Sequence, residues 1–136
     1  MTNERRLIRI LKSLKHEGEA ASPPDKIGIS PAQVNIIDEI SIAGKITIKE
    51  LSENLNLTPP TISAGVKKLE KNKLIKRESH KEDGRSILLT LPKEGKNLHN
   101  RIEDYRNTRV RKILNRLNSD DQNKMLSLLE IAIKKD

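Results

Sequence analysis

The chain has 136 residues, with 27 Lys and Arg against 19 Asp and Glu, a formal net charge of +8, and no cysteine. The absence of cysteine excludes a thiolate metal site, a cysteine nucleophile and a thiol redox sensor. The charged N-terminus lacks the apolar core of a signal peptide and no run approaches the ~18 apolar residues of a membrane span, so we predict a cytoplasmic protein with no membrane partner.

The positive charge is concentrated in the second half of the chain. Residues 1–57 carry 8 basic and 8 acidic side chains, whereas residues 58–85 carry 8 basic and 4 acidic ones. Residues 92–136 carry 11 basic and 7 acidic side chains. A localised basic surface is typical of a nucleic-acid-binding protein, but a generally basic, solvated surface gives the same totals. Charge alone leaves both interpretations open.

Three helix starts follow an apolar N-terminal run and a linker-like segment at residues 18–29. Ser30-Pro31-Ala32-Gln33 is a capping box with proline at the first helical position. Thr47-Ile48-Lys49-Glu50 is a second capping box, and Thr58-Pro59 opens a third helix with Thr58 as the N-cap. The turn near residues 56–58 is only a few residues long, which is the spacing of a helix–turn–helix.

The hydrophobic pattern changes to that of strands after the third helix. Segments Leu74–Glu78 and Ser86–Leu91 are predicted to form two strands, the second with Ile87, Leu89 and Leu91 on one face. The polar loop at residues 80–85 joins them as a hairpin. A helix–turn–helix followed by a basic hairpin predicts a winged helix over residues 30–91, in a chain that is mainly α with a small β-hairpin wing.

Both ends of the chain are predicted to be helical and strongly apolar. A long helix follows Pro92, and Ser119-Asp120-Asp121-Gln122 is expected to cap a final helix that is apolar over much of its circumference. Such a helix needs cover on two sides, so we expect the two ends to pack together and against the same ends of a second subunit. Residues 1–29 and 92–136 are therefore predicted to form a homodimerisation region. Its predicted contact residues are Leu7, Ile10, Leu11, Leu14, Leu126, Leu129 and Ile133.

The third helix is predicted to carry the DNA-binding face. If its apolar stripe points inward, the opposite face holds small, hydroxyl and lysine side chains. First-turn hydroxyls reach base edges, a small side chain can contact a thymine methyl, and lysines bind phosphates or a guanine edge. A polar helix with a solvated lysine face is the alternative. The predicted DNA-binding residues of this helix are Thr58, Pro60, Thr61, Ser63, Ala64, Lys67, Lys68 and Lys71.

The hairpin tip is predicted to supply a second set of DNA contacts. Arg85, beside Gly84, can enter a minor groove, where the negative potential is concentrated. Asp83 is predicted to orient Arg85 through a charge-assisted hydrogen bond, and His80 and Lys81 are predicted to contact phosphates. An ordinary Asp-Gly turn is the alternative interpretation.

The sequence offers little support for an enzyme. His16, His80 and His99 are scattered, and no carboxylate joins two of them at ligand or catalytic spacing. The sequence contains no phosphate-binding loop. We therefore predict no enzymatic activity, no metal site and no cofactor.

The motifs, taken in order, resemble those of the MarR family of transcriptional regulators. Residues 69–77, LEKNKLIKR, resemble the family's Leu-Glu-x-x-Gly-Leu-Val-x-Arg segment before the wing. Asp83-Gly84-Arg85 resembles its Asp-x-Arg wing signature, and residues 89–95, LTLPKEG, resemble its Val-x-Leu-Thr-x-x-Gly segment after the wing. The resemblance covers nearly the whole chain.

The resemblance implies a homodimer, clamped by its N- and C-terminal helices, that places two winged helices on a palindromic operator. By position, Thr61, Ser63 and Lys67 would contact the major groove, and Asp83 and Arg85 would form the wing pair. The family usually implies a repressor released by a small ligand or by thiol oxidation, and the lack of cysteine excludes the second route.

The sequence departs from the family pattern in several places. Lys73 stands where the family usually has glycine, Pro92 where it has threonine, and Ala64 where many members have a basic side chain. Tyr105 is the single aromatic residue, which argues against an aromatic-lined effector pocket.

We therefore predict a dimeric, sequence-specific DNA-binding regulator, a repressor, whose partners are double-stranded DNA and an effector of unknown identity. Ala64 and the lysine-rich face favour a first alternative, an architectural DNA binder that tolerates many sequences. The second alternative is a winged helix used as a protein-interaction module.

Overall fold

The computed structural model describes residues 1–20, 29–79 and 87–134, and it confirms a mainly helical chain with a small antiparallel sheet. Six helices and three strands alternate in these segments. The helices are α1 (Asn3–Ala20), α2 (Pro31–Ala43), α3 (Ile48–Leu55), α4 (Pro59–Lys71), α5 (Lys93–Leu114) and α6 (Ser119–Ile133). The strands are β1 (Ile46–Thr47), β2 (Lys76–Ser79) and β3 (Ile87–Thr90).

The starts of α2, α3 and α6 lie at or next to the predicted caps, with corrections at α3 and α6. At α2 the capping box is complete, since Ser30 Oγ accepts from the Gln33 N–H at 3.2 Å and Gln33 Oε1 accepts from the Ser30 N–H at 2.8 Å. At α3 the Thr47 hydroxyl oxygen accepts from the Glu50 N–H, as predicted. The Glu50 carboxylate, however, accepts from the Thr47 hydroxyl and not from the Thr47 N–H, so the second bond of the predicted capping box is replaced. The cap of α6 is Asn118, one residue before the predicted Ser119, because its amide oxygen accepts from the Asp121 N–H at 2.8 Å.

Helices α3 and α4 end in the same backbone motif. At the end of α3, Asn56 has a left-handed φ of 53°, and Leu57 N–H donates to the Ser52 carbonyl at 3.0 Å. At the end of α4, Lys73 has a φ of 61°, and Leu74 N–H donates to the Leu69 carbonyl at 2.9 Å. This is the Schellman motif, whose left-handed position is normally glycine or asparagine. It explains why strand β2 begins at Lys76, and the predicted start at Leu74 was wrong.

The sheet has three strands in the order β1-β3-β2, all antiparallel. The two-residue strand β1 was not predicted, because its pairing with β3 is a long-range contact that leaves no period in so short a segment. Leu89 in the central strand pairs with Ile46 on one side and Arg77 on the other, and it is fully buried. Ile87, predicted to share its buried face, is 44% exposed. It pairs with Ser79 at the far end of the hairpin, away from the core.

One hydrophobic core joins the helices and the sheet within residues 29–102. It takes side chains from α2, α3, α4 and α5, from strands β1 and β3, and from Ile75 and Leu91, which lie just before β2 and just after β3. Glycine allows the chain to pack closely at two points. A Cβ at Gly65 would lie 2.7 Å from Ile36 Cδ1 of α2, and a Cβ at Gly95 would overlap the carbonyl oxygen of Leu74. The close approach at Gly65 is therefore between α4 and α2.

The chain divides into two compact units, Ser22–Glu103 and a second one formed by Met1–Ala21 with Asp104–Asp136. In the second unit, Gln122 Nε2 donates to the carbonyls of Leu114 and Leu117 at 2.8 and 3.1 Å. These bonds join the start of α6 to the end of α5, which stops at Leu114. The side chains of α1 that the structure describes are exposed, and α6 has no buried residue.

We expect the two tightly packed glycines to differ in how much a substitution by alanine changes the stability of the fold. We expect Gly95→Ala to lower the free energy of unfolding by ~1–3 kcal/mol, because the new Cβ meets backbone that cannot move aside. Gly65→Ala meets only the tip of Ile36, and its gain of ~1 kcal/mol in helix propensity offsets the clash. Urea unfolding at one chain concentration measures both variants, and equal losses would contradict the assignment of the two contacts.

The left-handed backbone of Lys73 predicts that glycine stabilises the chain there. A non-glycine residue in this conformation costs roughly 1–2 kcal/mol, part of which the greater freedom of glycine in the unfolded chain cancels. We expect Lys73→Gly to raise the free energy of unfolding by ~0.5–1 kcal/mol. The matched control is Lys67→Gly, in the middle of α4, which should lower it by ~1 kcal/mol. A destabilised Lys73→Gly variant would show that the lysine side chain, and not the backbone, decides at this position.

Candidate nucleic-acid interface

Helix α4 presents one face to the core and the other to solvent. Ile62, Val66 and Leu69 are fully buried, as predicted, and they fix the rotation of the helix. The opposite side carries exposed residues that we call the recognition face. The recognition face consists of Thr58, Pro60, Thr61, Ala64, Lys67, Lys68 and Lys71. Ser63, which the sequence also predicts to bind DNA, is half-buried.

The first turn of α4 is arranged differently from an ordinary N-cap. Thr58 occupies the N-cap position as predicted, but its side chain makes no capping hydrogen bond to the backbone. The two following residues are Pro59 and Pro60, which have no N–H to cap. The Thr58 hydroxyl instead lies 2.9 Å from the Thr61 hydroxyl. The first turn therefore holds two linked hydroxyls at the positive end of the helix dipole, where donors and acceptors face solvent.

The charge of α4 is positive on the recognition face. The helix has three lysines and one acid, Glu70. Both oxygens of Glu70 accept from Arg77 Nε, at 2.9 and 3.1 Å, and the two side chains are about one-third exposed. Because the negative charge of Glu70 is paired with Arg77 of β2, it offsets little of the positive charge of the three lysines. Lys68 and Lys71 also lie in the last turn, where cations favour the helix dipole.

The base of the hairpin is attached to the rest of the unit at two points. The Glu70–Arg77 pair connects α4 to β2, and Lys45 Nζ binds Glu78 Oε2 at 3.2 Å beside β1. The second pair is mostly exposed and contributes little free energy, so the Glu70–Arg77 pair is the stronger of the two attachments of β2. The predicted wing residues His80, Lys81, Asp83 and Arg85 lie outside the described residues.

A cleft of about 160 Å³ lies beside the recognition face, between the first turns of α2 and α4. Thr61, Ala64 and Lys68 line one side, and Ser30 and Gln33 of the α2 capping box line the other. Sequence reasoning used Ser30 and Gln33 only as a helix start. Their second position, next to the recognition face, depends on the packing of α2 on Gly65, and no local motif indicates it.

The predicted dimer residues are all on helices and all exposed in the single chain. Leu7, Ile10, Leu11 and Leu14 lie on α1, and Leu126, Leu129 and Ile133 lie on α6, with exposed fractions from 41% to 73%. Single exposed apolar residues are ordinary on a protein surface, but seven of them on two helices indicate an interaction surface.

The described helices include none with the length and hydropathy of a membrane span.

Comparison with known sequences identifies the region that contains this interface. The model of the MarR family matches residues 27–86, which include α2, α3, α4 and strand β2 and end just before β3. The chain is also 28% identical over 81 residues to the HTH-type transcriptional repressor MdtR of Bacillus subtilis (strain 168). That alignment covers 60% of this chain and 52% of MdtR, so the chain matches about half the length of that relative.

Solved structures share the fold over nearly the whole chain. The transcriptional regulator Tm0710 of Thermotoga maritima is 28% identical with a TM-score of 0.70, over 95% of this chain and 89% of that one. Streptococcus pneumoniae FabT, solved in complex with DNA, is 24% identical with a TM-score of 0.79, over 96% of this chain and 94% of FabT.

Proposed function

Because the chain belongs to the MarR family of winged-helix transcriptional regulators, we propose that it represses transcription by binding a palindromic operator as a homodimer. The observation that carries the proposal is the recognition face, where first-turn hydroxyls, a small side chain and three lysines lie exposed on one helix whose other side is buried. The name of MdtR as a repressor and the DNA in the FabT structure support the proposed role.

The recognition face suits the major groove in its order along α4. Thr58, Thr61 and Ser63, at or near the helix start, are the hydroxyl residues that would contact base edges or phosphates. Pro60 and Ala64 offer apolar surface to a thymine methyl. The lysines follow in the second half of the helix, where they would bind phosphates and position the helix without reading sequence. Residues 30–91 would thus form the DNA-binding domain.

The wing would add minor-groove and phosphate contacts. His80, Lys81, Asp83 and Arg85 keep the roles inferred from the sequence, with Asp83 orienting Arg85. The support in the structure comes from the hairpin base, because β2 is held to α4 by Arg77 and Glu70. This contact ties the first strand of the wing to the recognition helix.

The two ends of the chain would form the dimer. Large apolar side chains on α1 and α6 remain exposed to solvent in the single chain. An apolar helix face is normally buried against another element. Residues 1–29 and 92–136 would supply that cover in a second subunit. Two winged helices related by a two-fold axis read a palindromic site. A small-molecule effector would act on this dimer, since a chain without cysteine has no thiol to oxidise.

Fluorescence anisotropy with duplexes selected from the source genome tests the proposal. The duplexes are compared with scrambled versions of the same composition at several salt concentrations. A preference of ~10³ or more for an inverted repeat is expected from a specific dimeric regulator. Binding that is steep in salt but indifferent to sequence would mean an architectural role, which the uncharged Ala64 in the recognition face favours. No binding at low salt would overturn DNA binding altogether and leave the protein-interaction module.

The lysines of the recognition face predict a change in the salt dependence of binding. Each phosphate contact contributes about −0.9 to the slope of log K against log salt concentration. We expect Lys67→Gln with Lys71→Gln to reduce the slope by about 2, with similar losses on specific and scrambled duplexes. The control is Lys112→Gln on α5, an exposed lysine outside the recognition face, which should leave the slope unchanged. An unaltered slope in the double variant would show that these lysines are merely solvated.

The apolar stripe of α6 predicts that dimerisation depends on Leu126 and Leu129. We expect Leu126→Asp with Leu129→Asp to give monomers or unfolded chain at micromolar concentration, because a buried carboxylate without a partner is strongly unfavourable. Sedimentation measures the assembly state, and circular dichroism separates monomer from unfolded chain. Asn123→Asp, exposed on the same helix, adds one charge and should remain dimeric. A folded wild-type monomer under the same conditions would contradict the dimer.

A further inference from the structure

Three side chains with metal-binding atoms meet between α2 and α5. His99 Nε2 lies 3.5 Å from Asp38 Oδ1 and 3.8 Å from Glu103 Oε1. One donor atom from each of the three residues lies within 4.8 Å of the others. Among the residues that the structure describes, this is the one such group of three. All three belong to the unit Ser22–Glu103, and they lie on helices that do not contain the recognition face.

The spacing of the donor atoms is close to that of a tetrahedral metal site. Bonds of ~2.0–2.2 Å from one metal ion to nitrogen and oxygen ligands place two ligand atoms about 3.3–3.5 Å apart. The separation of His99 Nε2 from Asp38 Oδ1, 3.5 Å, lies within this range, that from Glu103 Oε1 is 3.8 Å, and the two carboxylate oxygens lie within 4.8 Å of each other. Rotation of the flexible Glu103 side chain is the change that would bring its oxygen to ligand distance.

The backbone positions of the three residues are fixed by the core. Asp38 lies between Ile37 and Ile40 on α2, both fully buried. His99 and Glu103 are separated by one helical turn on α5 and flank the buried residue Ile102. Rigid helices hold a site more accurately than loops do. The side chains of Asp38 and His99 are only 21% and 18% exposed, whereas Glu103 is 44% exposed and leaves the group open to solvent.

Ser41 supplies a partner for the other nitrogen of the imidazole. Its Oγ lies 3.4 Å from His99 Nδ1, one turn along α2 from Asp38. If the Nδ1–H donates to Ser41 Oγ, the Nε2 lone pair points toward the two carboxylates. Metal-binding histidines generally use their second nitrogen in this way, which fixes the tautomer and the ring orientation. Two carboxylates and one imidazole then offer three donor atoms to a cation.

We propose that Asp38, His99 and Glu103 bind a divalent transition-metal ion, with Zn²⁺ as the ion that fits best. One imidazole and two carboxylates are ligands that Zn²⁺ accepts in three-residue sites, and water would occupy the fourth position. The imidazole disfavours Mg²⁺ and Ca²⁺, which take oxygen ligands. The ion would join α2, which packs on the recognition helix through Ile36 and Gly65, to α5. The site itself does not depend on DNA binding by the recognition face.

A competition titration of Zn²⁺ between the untagged full chain and a chromophoric chelator tests the site. We expect one tightly bound Zn²⁺ per chain. His99→Gln and Glu103→Gln should each weaken binding by at least about tenfold, since even outer partners of a metal ligand contribute that much. His16→Gln, which removes an exposed histidine on α1, is the matched control and should bind like the wild type.

Two further measurements separate metal binding from an ion pair of protonated His99 with the carboxylates. Addition of Zn²⁺ should shift the Nε2 resonance of His99 in a long-range ¹H–¹⁵N spectrum, which an ion pair alone would not produce. If His99→Gln does not fold by circular dichroism, the half-exposed Glu103→Gln variant decides. Absence of competition by the wild type, or equal binding by Glu103→Gln and the wild type, overturns the proposal. DNA anisotropy in excess chelator reports separately on the recognition face.

Discussion

The rest of the structure depends on the burial of one side of α4. Ile62, Val66 and Leu69 enter the core, and their spacing leaves no freedom in how the helix is rotated. The contact of Gly65 with Ile36 then sets how closely α2 approaches. Because these constraints are apolar, they define the recognition face without using any of its polar residues. The face is consequently free to vary in chemistry, and Thr61, Ala64 and the lysines need satisfy no packing requirement.

The same helix also determines how the wing begins. Its C-terminal Schellman motif turns the chain at Lys73, and Leu74 and Ile75 pack on the core before β2 starts. Gly95 lets the first turn of α5 lie against the Leu74 carbonyl. The glycine that the family pattern has at position 73 thus has a backbone reason. Lys73 adopts this left-handed backbone conformation at a cost in conformational free energy. Asn56 adopts the same conformation at the end of α3 at a lower cost, because asparagine tolerates it better than lysine does.

Features with a local signature were predictable from the sequence, and features that depend on long-range contacts were not. The Ser30 capping box and the buried stripe of α4 are patterns within a few residues, and both are present. The strand β1 and the cleft lined by Ser30 and Gln33 exist only through tertiary packing. The cluster of Asp38 with His99 joins residues far apart in the sequence. Each histidine considered alone resembles a surface residue, and nothing in the chain order indicates that α2 and α5 meet there.

The burial pattern separates two kinds of stability in one chain. The described apolar residues that are fully buried all lie between Ile36 and Ile102, so the winged helix completes its core with Leu98 and Ile102 of α5 from the same chain. The helices α1 and α6 instead leave large apolar side chains exposed. Their stability would therefore depend on chain concentration through the proposed dimer, whereas that of the winged helix would not. Loss of the dimer would then remove the spacing of two recognition helices while each recognition face stays intact. Dissociation would weaken operator binding through geometry and not through unfolding.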